Sequence, residues 1–182
     1  IVIGKGPGAR IVQLDLPPFT LVAATTRIAL LSSPLRSRFA GGVFRLEFYS
    51  DNEINEIIKR SSNILEIEIE NEAITEISKR SRSTPRIANH LLKRCRDYAQ
   101  INKSGIIDTE TILEAMRLIG LDDLGLTGSD RQLLLILIEK FNGGPVGLNT
   151  LAAALAEEQS TLEEVYEPFL IQNGLIKRTT RG

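Results

Sequence analysis

Tryptophan is absent from this 182-residue chain, and with six Phe and three Tyr its core must be built from aliphatic side chains. A single cysteine, Cys95, excludes an internal disulfide and any CxxC metal pattern. It lies between Arg94 and Arg96 and reads as a partly buried structural thiol, because reactivity needs exposure as well as positive neighbours. A reducing cytoplasm is its natural setting. The lone histidine, His90, has no acidic or cysteine partner at ligand spacing and receives no role. No apolar run approaches the roughly 20 residues of a membrane-spanning helix. Also missing is the phosphate-binding pattern G-x-x-x-x-G-K-[ST]. The glycine-rich stretch Gly4-Lys5-Gly6-Pro7-Gly8 flanks its lysine wrongly for that task and reads as a hairpin turn. The opening Ile1-Val2-Ile3-Gly4-Lys5 has neither an initiator Met nor a signal layout, as expected for the middle of a longer protein.

Net charge is −1, but its distribution is uneven. Residues 1–49 carry six basic against two acidic side chains, residues 50–122 eleven against thirteen, and residues 123–182 five against eight. Bulk charge therefore supports neither a nucleic-acid nor a membrane surface, and any DNA contact must be local.

Periodicity then organises the chain. Arg10–Leu16 and Phe19–Ala24 read as strands parted by Pro17-Pro18, with Ile1–Ile3 folding back on Ile11–Leu14 as a hairpin. Val43–Tyr49 alternates as a further strand. Helices follow. One is capped by Ser50 with Glu53 and runs to about Leu65, burying Ile54, Ile57, Ile58 and Leu65. Glu70–Arg82, Thr84–Lys103 with Pro85 at its first position, and Thr109–Ile119 capped by Asp108 complete a small helical domain. The segment Gly120–Gly125 reads as a hinge. Beyond it come helices over Ser129–Phe141, Leu148–Glu158 and Thr161–Gln172, then a strand from Leu175 to Thr179. In the third helix Leu162, Val165, Tyr166, Phe169 and Leu170 form the buried stripe, with Glu163, Glu164 and Glu167 opposite. Three helices, a strand and a basic strand tip make a winged helix.

The chemistry concentrates in a few places. Thr20–Ala24 ends in Thr25-Thr26, whose hydroxyls suit either a phosphate contact or a simple turn hydrogen bond. Arg36 and Arg38 follow in the turn Pro34–Phe39, with Phe39 able to anchor it. A guanidinium is a planar, permanent charge fitted to a transferring phosphoryl group. Arg86 opens a helix, where free N–H groups and the helix dipole already favour an anion. Tyr49 suits either adenine stacking or core packing. Lys177, Arg178 and Arg181 cluster at the wing, whereas the acidic third helix is a poor base reader; phosphate contact without sequence readout follows.

Five blocks carry a family resemblance: Asp15–Leu21, Ala24–Arg27, Thr84–Asn89, Gly143–Leu148 and Arg178–Gly182. Together, and in this order, they resemble the RuvB family of AAA+ ATPases over essentially the whole chain. The resemblance implies a mixed, mainly α fold. Residues 1–49 would be the end of the AAA+ α/β core, 50–122 a helical lid, and 123–182 a winged-helix DNA-binding domain with its wing cut short. It implies an ATP-dependent DNA helicase, a hexameric ring driving Holliday junction branch migration in recombination, repair and the SOS response. Its partners would be double-stranded DNA, four-way junctions, RuvA, further copies of itself and RuvC. By resemblance Thr26, or else Thr25, is sensor 1 and Arg38 the finger acting on the adjacent subunit. Tyr49 and Arg86 contact ATP in cis, while Arg178, Arg181 and Lys177 touch DNA. Val12 and Leu14 on the opening hairpin dock on RuvA. Magnesium ligands are expected upstream of Ile1, and the chain alone is expected not to hydrolyse ATP.

Departures from the family pattern are Ala23 and Ser83 where glycine is usual, Ser37 for Asp, His90 for Arg, and a longer Ala40-Gly41-Gly42 turn. Two other readings compete: a clamp-loader or replication-initiator type AAA+ protein, and a winged-helix transcription regulator.

Overall fold

A computed structural model describes the backbone at residues 2–3 and 10–11 and whole residues at 17–39, 41–102 and 105–180. The chain divides into two compact units, Ile1–Leu46 and Glu47–Gly182. In the first, β1 (Val2–Ile3) pairs antiparallel with β2 (Arg10–Ile11), Val2 opposite Ile11 as expected and Ile3 opposite Arg10; the rest of the expected strand, residues 12–16, lies outside the described residues. The predicted strands over Phe19–Ala24 and Val43–Tyr49 do not. Both runs are irregular and exposed. A strand is held by its ladder partners more than by its own propensity, and neither run has one among the described residues. A 3-10 turn (Ile28–Leu30) leads into α1 (Ser33–Ser37), where the sequence suggests only a turn. Pro34 suits the first turn of α1, whose N–H groups have no helical partner.

The second unit begins with α2 (Asp51–Ile64), closed at its start by the predicted capping box. Ser50 N donates to Glu53 Oε2 at 2.8 Å, and Glu53 N to Ser50 Oγ at 3.4 Å. Then come α3 (Asn71–Arg80), α4 (Pro85–Ile101) and α5 (Thr109–Leu118), the last capped by Asp108, which accepts from Thr111 N at 2.8 Å. Helix α3 stops before the predicted Arg82 because Arg82 and Ser83 adopt left-handed backbone, φ +56° and +51°. Ile54, Ile58, Ile77, Leu92, Ile112 and Met116 pack around Cys95, whose burial pushes its thiol up to about 12 and leaves it inert. Two short strands, β3 (Glu68–Ile69) and β4 (Ile106–Ile107), pair in parallel beside this core.

A second core gathers Leu126, Leu133, Leu151, Leu162, Phe169 and Leu170. Here α6 (Gly128–Phe141) opens with a Thr127–Asp130 capping box, and α7 (Leu148–Leu155) ends early because Ala156 turns left-handed. The predicted third helix is broken into α8 (Gln159–Thr161), a π turn (Leu162–Tyr166) and α9 (Glu167–Gln172). A π turn takes up an extra residue and shifts the faces that follow. Val165 is therefore 55% exposed instead of buried, while Glu167 turns inward rather than lying opposite the core with Glu163 and Glu164. Leu175–Thr179 is not a strand. The amides of Leu175 and Ile176 instead close the end of α9 on Leu170 O, at 2.9 and 3.4 Å.

Gly120–Gly125 is no free hinge either. Asp122 Oδ1 accepts from Leu124 N and Leu126 N at 3.0 and 2.8 Å. Arg131 reaches across to Gly120 O at 3.0 Å and Leu126 O at 2.9 Å. Side chains brace the connection from both ends.

Candidate functional site

Within the first unit, the two threonines behave differently. Arg27 N donates to Thr25 Oγ1 at 3.0 Å, occupying that hydroxyl in a local turn. The exposed Thr26 hydroxyl has no partner among the described residues. Helix α1 then sets Arg36 on its last turn and Arg38 at its end. Ser37 Oγ, bonded to Pro34 O at 3.0 Å, and Phe39 N, bonded to Arg36 O at 3.2 Å, hold that end in helical form. Two residues at helical spacing project to nearly opposite sides. Arg36 and Arg38 are both exposed and form no ion pair among the described residues. Ala40 lies outside the described residues, as do Val12 and Leu14.

In the second unit Tyr49 is 45% exposed just ahead of the Ser50 cap, which removes its reading as a core tyrosine. Arg86 is exposed at the second position of α4. Thr84, the N-cap, does not cap with its side chain; its hydroxyl donates to Arg82 O at 2.9 Å instead. The first-turn N–H groups of α4 thus keep their donors beside an exposed guanidinium, a pairing suited to phosphate. His90 faces solvent on the same helix.

At the far end, Lys177 is exposed and Arg181 lies outside the described residues. Arg178 rests on the acidic helix. Its Nε donates to Glu167 Oε2 at 3.0 Å, and its Nη2 reaches Glu167 and Glu163 Oε1, the latter at 3.2 Å. The Glu167 carboxylate raises the guanidinium above its ordinary value, with Glu163 adding to it.

The structure also assembles a cluster that sequence reasoning missed. Arg82 Nη2 meets the buried Asp130 Oδ2 at 2.6 Å, and Arg80 joins Glu76 and Asp123. The pattern Thr127-x-x-Asp130 was a readable capping signal for Asp130, though not for its arginine partner.

Three domain models match the chain in order: the Holliday junction DNA helicase RuvB P-loop domain over residues 1–46, the RuvB AAA lid domain over 49–122, and the RuvB C-terminal winged helix domain over 123–182. The chain belongs to the RuvB family. A solved structure of Thermotoga maritima RuvB, a Holliday junction branch migration motor, is 53% identical with a TM-score of 0.83. It is matched over 92% of this chain and 56% of its own. A point mutant of the same protein gives 52% identity and a TM-score of 0.84 over the same shares. This chain thus spans little more than half the length of those relatives. Helices α2–α5 fall within the residues that the lid model matches, and α6–α9 within those that the winged-helix model matches.

Among the described residues no group of three or more His, Cys, Asp or Glu is arranged to hold a metal, and no helix is long and apolar enough to cross a membrane.

Proposed function

We infer that this chain supplies the sensing and DNA-contacting parts of a cytoplasmic, ATP-driven motor that moves Holliday junction branches in recombination and repair. The observation that carries the reading is the exposed, uncompensated Arg38 at the end of α1, combined with Arg86 on a helix start whose cap has turned away. Arg38 acts as the finger on a neighbouring subunit's ATP in a hexameric ring, neutralising charge as the phosphoryl group leaves. In GTPases such a group is worth roughly 10³–10⁵ in rate. Thr26, with its hydroxyl free, senses the γ-phosphate; Arg86 and Tyr49 hold nucleotide in cis. Arg178, Lys177 and Arg181 contact the DNA backbone, and Val12 and Leu14 dock on RuvA, with RuvC as a further partner at the four-way junction. ATP would be bound together with magnesium, with these residues contributing contacts to its phosphates.

The test uses a protein that carries these residues together with a phosphate-binding loop. Arg38→Ala is expected to abolish ATP turnover while leaving nucleotide binding largely intact. Loss of both together would overturn the finger assignment. The transcription-regulator alternative expects sequence-selective DNA binding and no response to nucleotide.

A further inference from the structure

Arg82 lies four positions before Arg86, at the turn that leads into the nucleotide-facing start of α4. Its guanidinium is spent entirely on the winged-helix side. Nε and Nη2 both donate to Gly125 O, at 3.1 and 2.9 Å, and Nη2 meets Asp130 Oδ2 at 2.6 Å. Its flat face lies 4.2 Å from the centre of the Phe169 ring. One side chain therefore ties the entrance of α6, its first turn and α9 to the lid.

The partners are committed to this contact. Asp130 is fully buried, and the same Oδ2 accepts from Thr127 N at 2.7 Å. Without Arg82 a charged carboxylate would be left buried and uncompensated. Arg80, 3% exposed as a side chain, adds a second strut to Asp123 at 2.5 Å. Gly125, at φ +76°, lies so close to Arg80 that an added Cβ would sit 2.9 Å from its carbonyl oxygen. On the lid side, Arg82 and Ser83 both hold left-handed backbone, which such residues keep only when their surroundings over-determine it. Thr84 Oγ1 on Arg82 O and Thr84 N on Ser81 O, at 2.9 and 3.1 Å, fix the same turn from behind.

We propose that Arg82 welds the nucleotide-sensing turn to the winged-helix domain, so that lid and winged helix move as one lever. Arg82 is then a positioning residue: it touches neither nucleotide nor DNA, and it converts a change at Arg86 into displacement of the DNA-contacting end. A flexible connection would absorb that change locally; the braced Gly120–Leu126 segment and the arginine struts leave nothing to absorb it. This inference rests on the sensing role of Arg86 proposed above.

The experiment places nitroxide labels at Arg60→Cys on α2 and Asn149→Cys on α7, both exposed, while buried Cys95 stays silent. A single narrow distance is expected, unchanged between ADP and a non-hydrolysable ATP analogue in the complete motor. Arg82→Lys keeps a charge for Asp130 but loses the fork on Gly125 and the flat stack on Phe169. It is expected to broaden that distance and to slow branch migration roughly tenfold while DNA-stimulated ATP hydrolysis persists. Arg82→Met should do the same more severely; if it does not fold, the Lys variant and the wild-type distance decide. A wild-type distance that is broad or shifts with nucleotide overturns the weld, as does full migration by Arg82→Lys. A wild-type motor that never hydrolyses ATP would sink the proposed function, and the label distances would still judge the weld.

Discussion

Arg178 and Glu167 form a contact that ties the expected DNA-facing end to the helix beneath it: Nε donates to Oε2 at 3.0 Å, with Glu163 sharing the same guanidinium. A DNA phosphate approaching this end would have to compete with two carboxylates for this group. Replacing Arg178 by Ala is expected to weaken DNA binding equally across sequences and to lower the salt slope by about 1. Glu167→Gln keeps the shape of a partly buried side chain and removes its charge, so non-specific affinity should rise several-fold. Fluorescence anisotropy across a salt series reads both. A fall in affinity for Glu167→Gln would mean that Glu167 presents Arg178 to DNA rather than competing for it.

Ser83 holds φ +51°, in the left-handed region that favours glycine. Left-handed backbone costs a non-glycine residue roughly 1–2 kcal/mol. The extra chain entropy of glycine offsets about 0.5–1 kcal/mol of any relief. Ser83→Gly should therefore stabilise the helical unit by about 0.5–1 kcal/mol, seen as a higher urea midpoint with unchanged slope. Destabilisation would show that the serine side chain does more than occupy the turn.

Three carboxylates are held below their ordinary range: Glu76 by Lys79 and then Arg80, Glu53 by the Ser50 amide and hydroxyl, and Asp108 by Thr111. A lowered folded-state value means the stabilisation is complete above the unfolded value, near pH 4, and is lost as acid carries the solution down through the lowered values. Stability to urea should stay flat with respect to these groups between about pH 5 and 7 and fall below about pH 4. A rise in stability on acidification below that point would contradict the assignment.

The helical half was legible wherever its signals were local. Ser50 with Glu53, Asp108 with Thr111 and Pro85 at a helix start each act within a single turn, and each appears where the sequence puts it. Arg82 with Asp130 and Arg80 with Asp123 join residues far apart in sequence, and no pattern of spacing announces them. The strands expected at Phe19–Ala24 and Val43–Tyr49 failed for a related reason: strand propensity is local, whereas a ladder needs a partner elsewhere. The π turn at Leu162–Tyr166 misled the face assignment of Val165 and Glu167, because a 3.6-residue period carries no mark of an inserted residue. Of the candidate site, Arg38 and Arg86 stand out by motif order, and the structure leaves both exposed. The engagement of Thr25 and the capture of Arg178 by Glu163 and Glu167 needed side-chain geometry.

The parallel pairing of β3 with β4 joins Ile69 to Ile107 and so closes α3 and α4 into one long loop pinned at its base. Closing such a loop costs chain entropy before any distant contact repays it. The repayment comes only when Ile74, Ile77, Leu92 and Ile107 are buried together. Neither α3 nor α4 buries its apolar face without the other, so neither is expected to persist as a separate intermediate. The helical unit is therefore expected to assemble and melt in a single cooperative step, with one transition seen by far-UV circular dichroism and by hydrogen exchange alike.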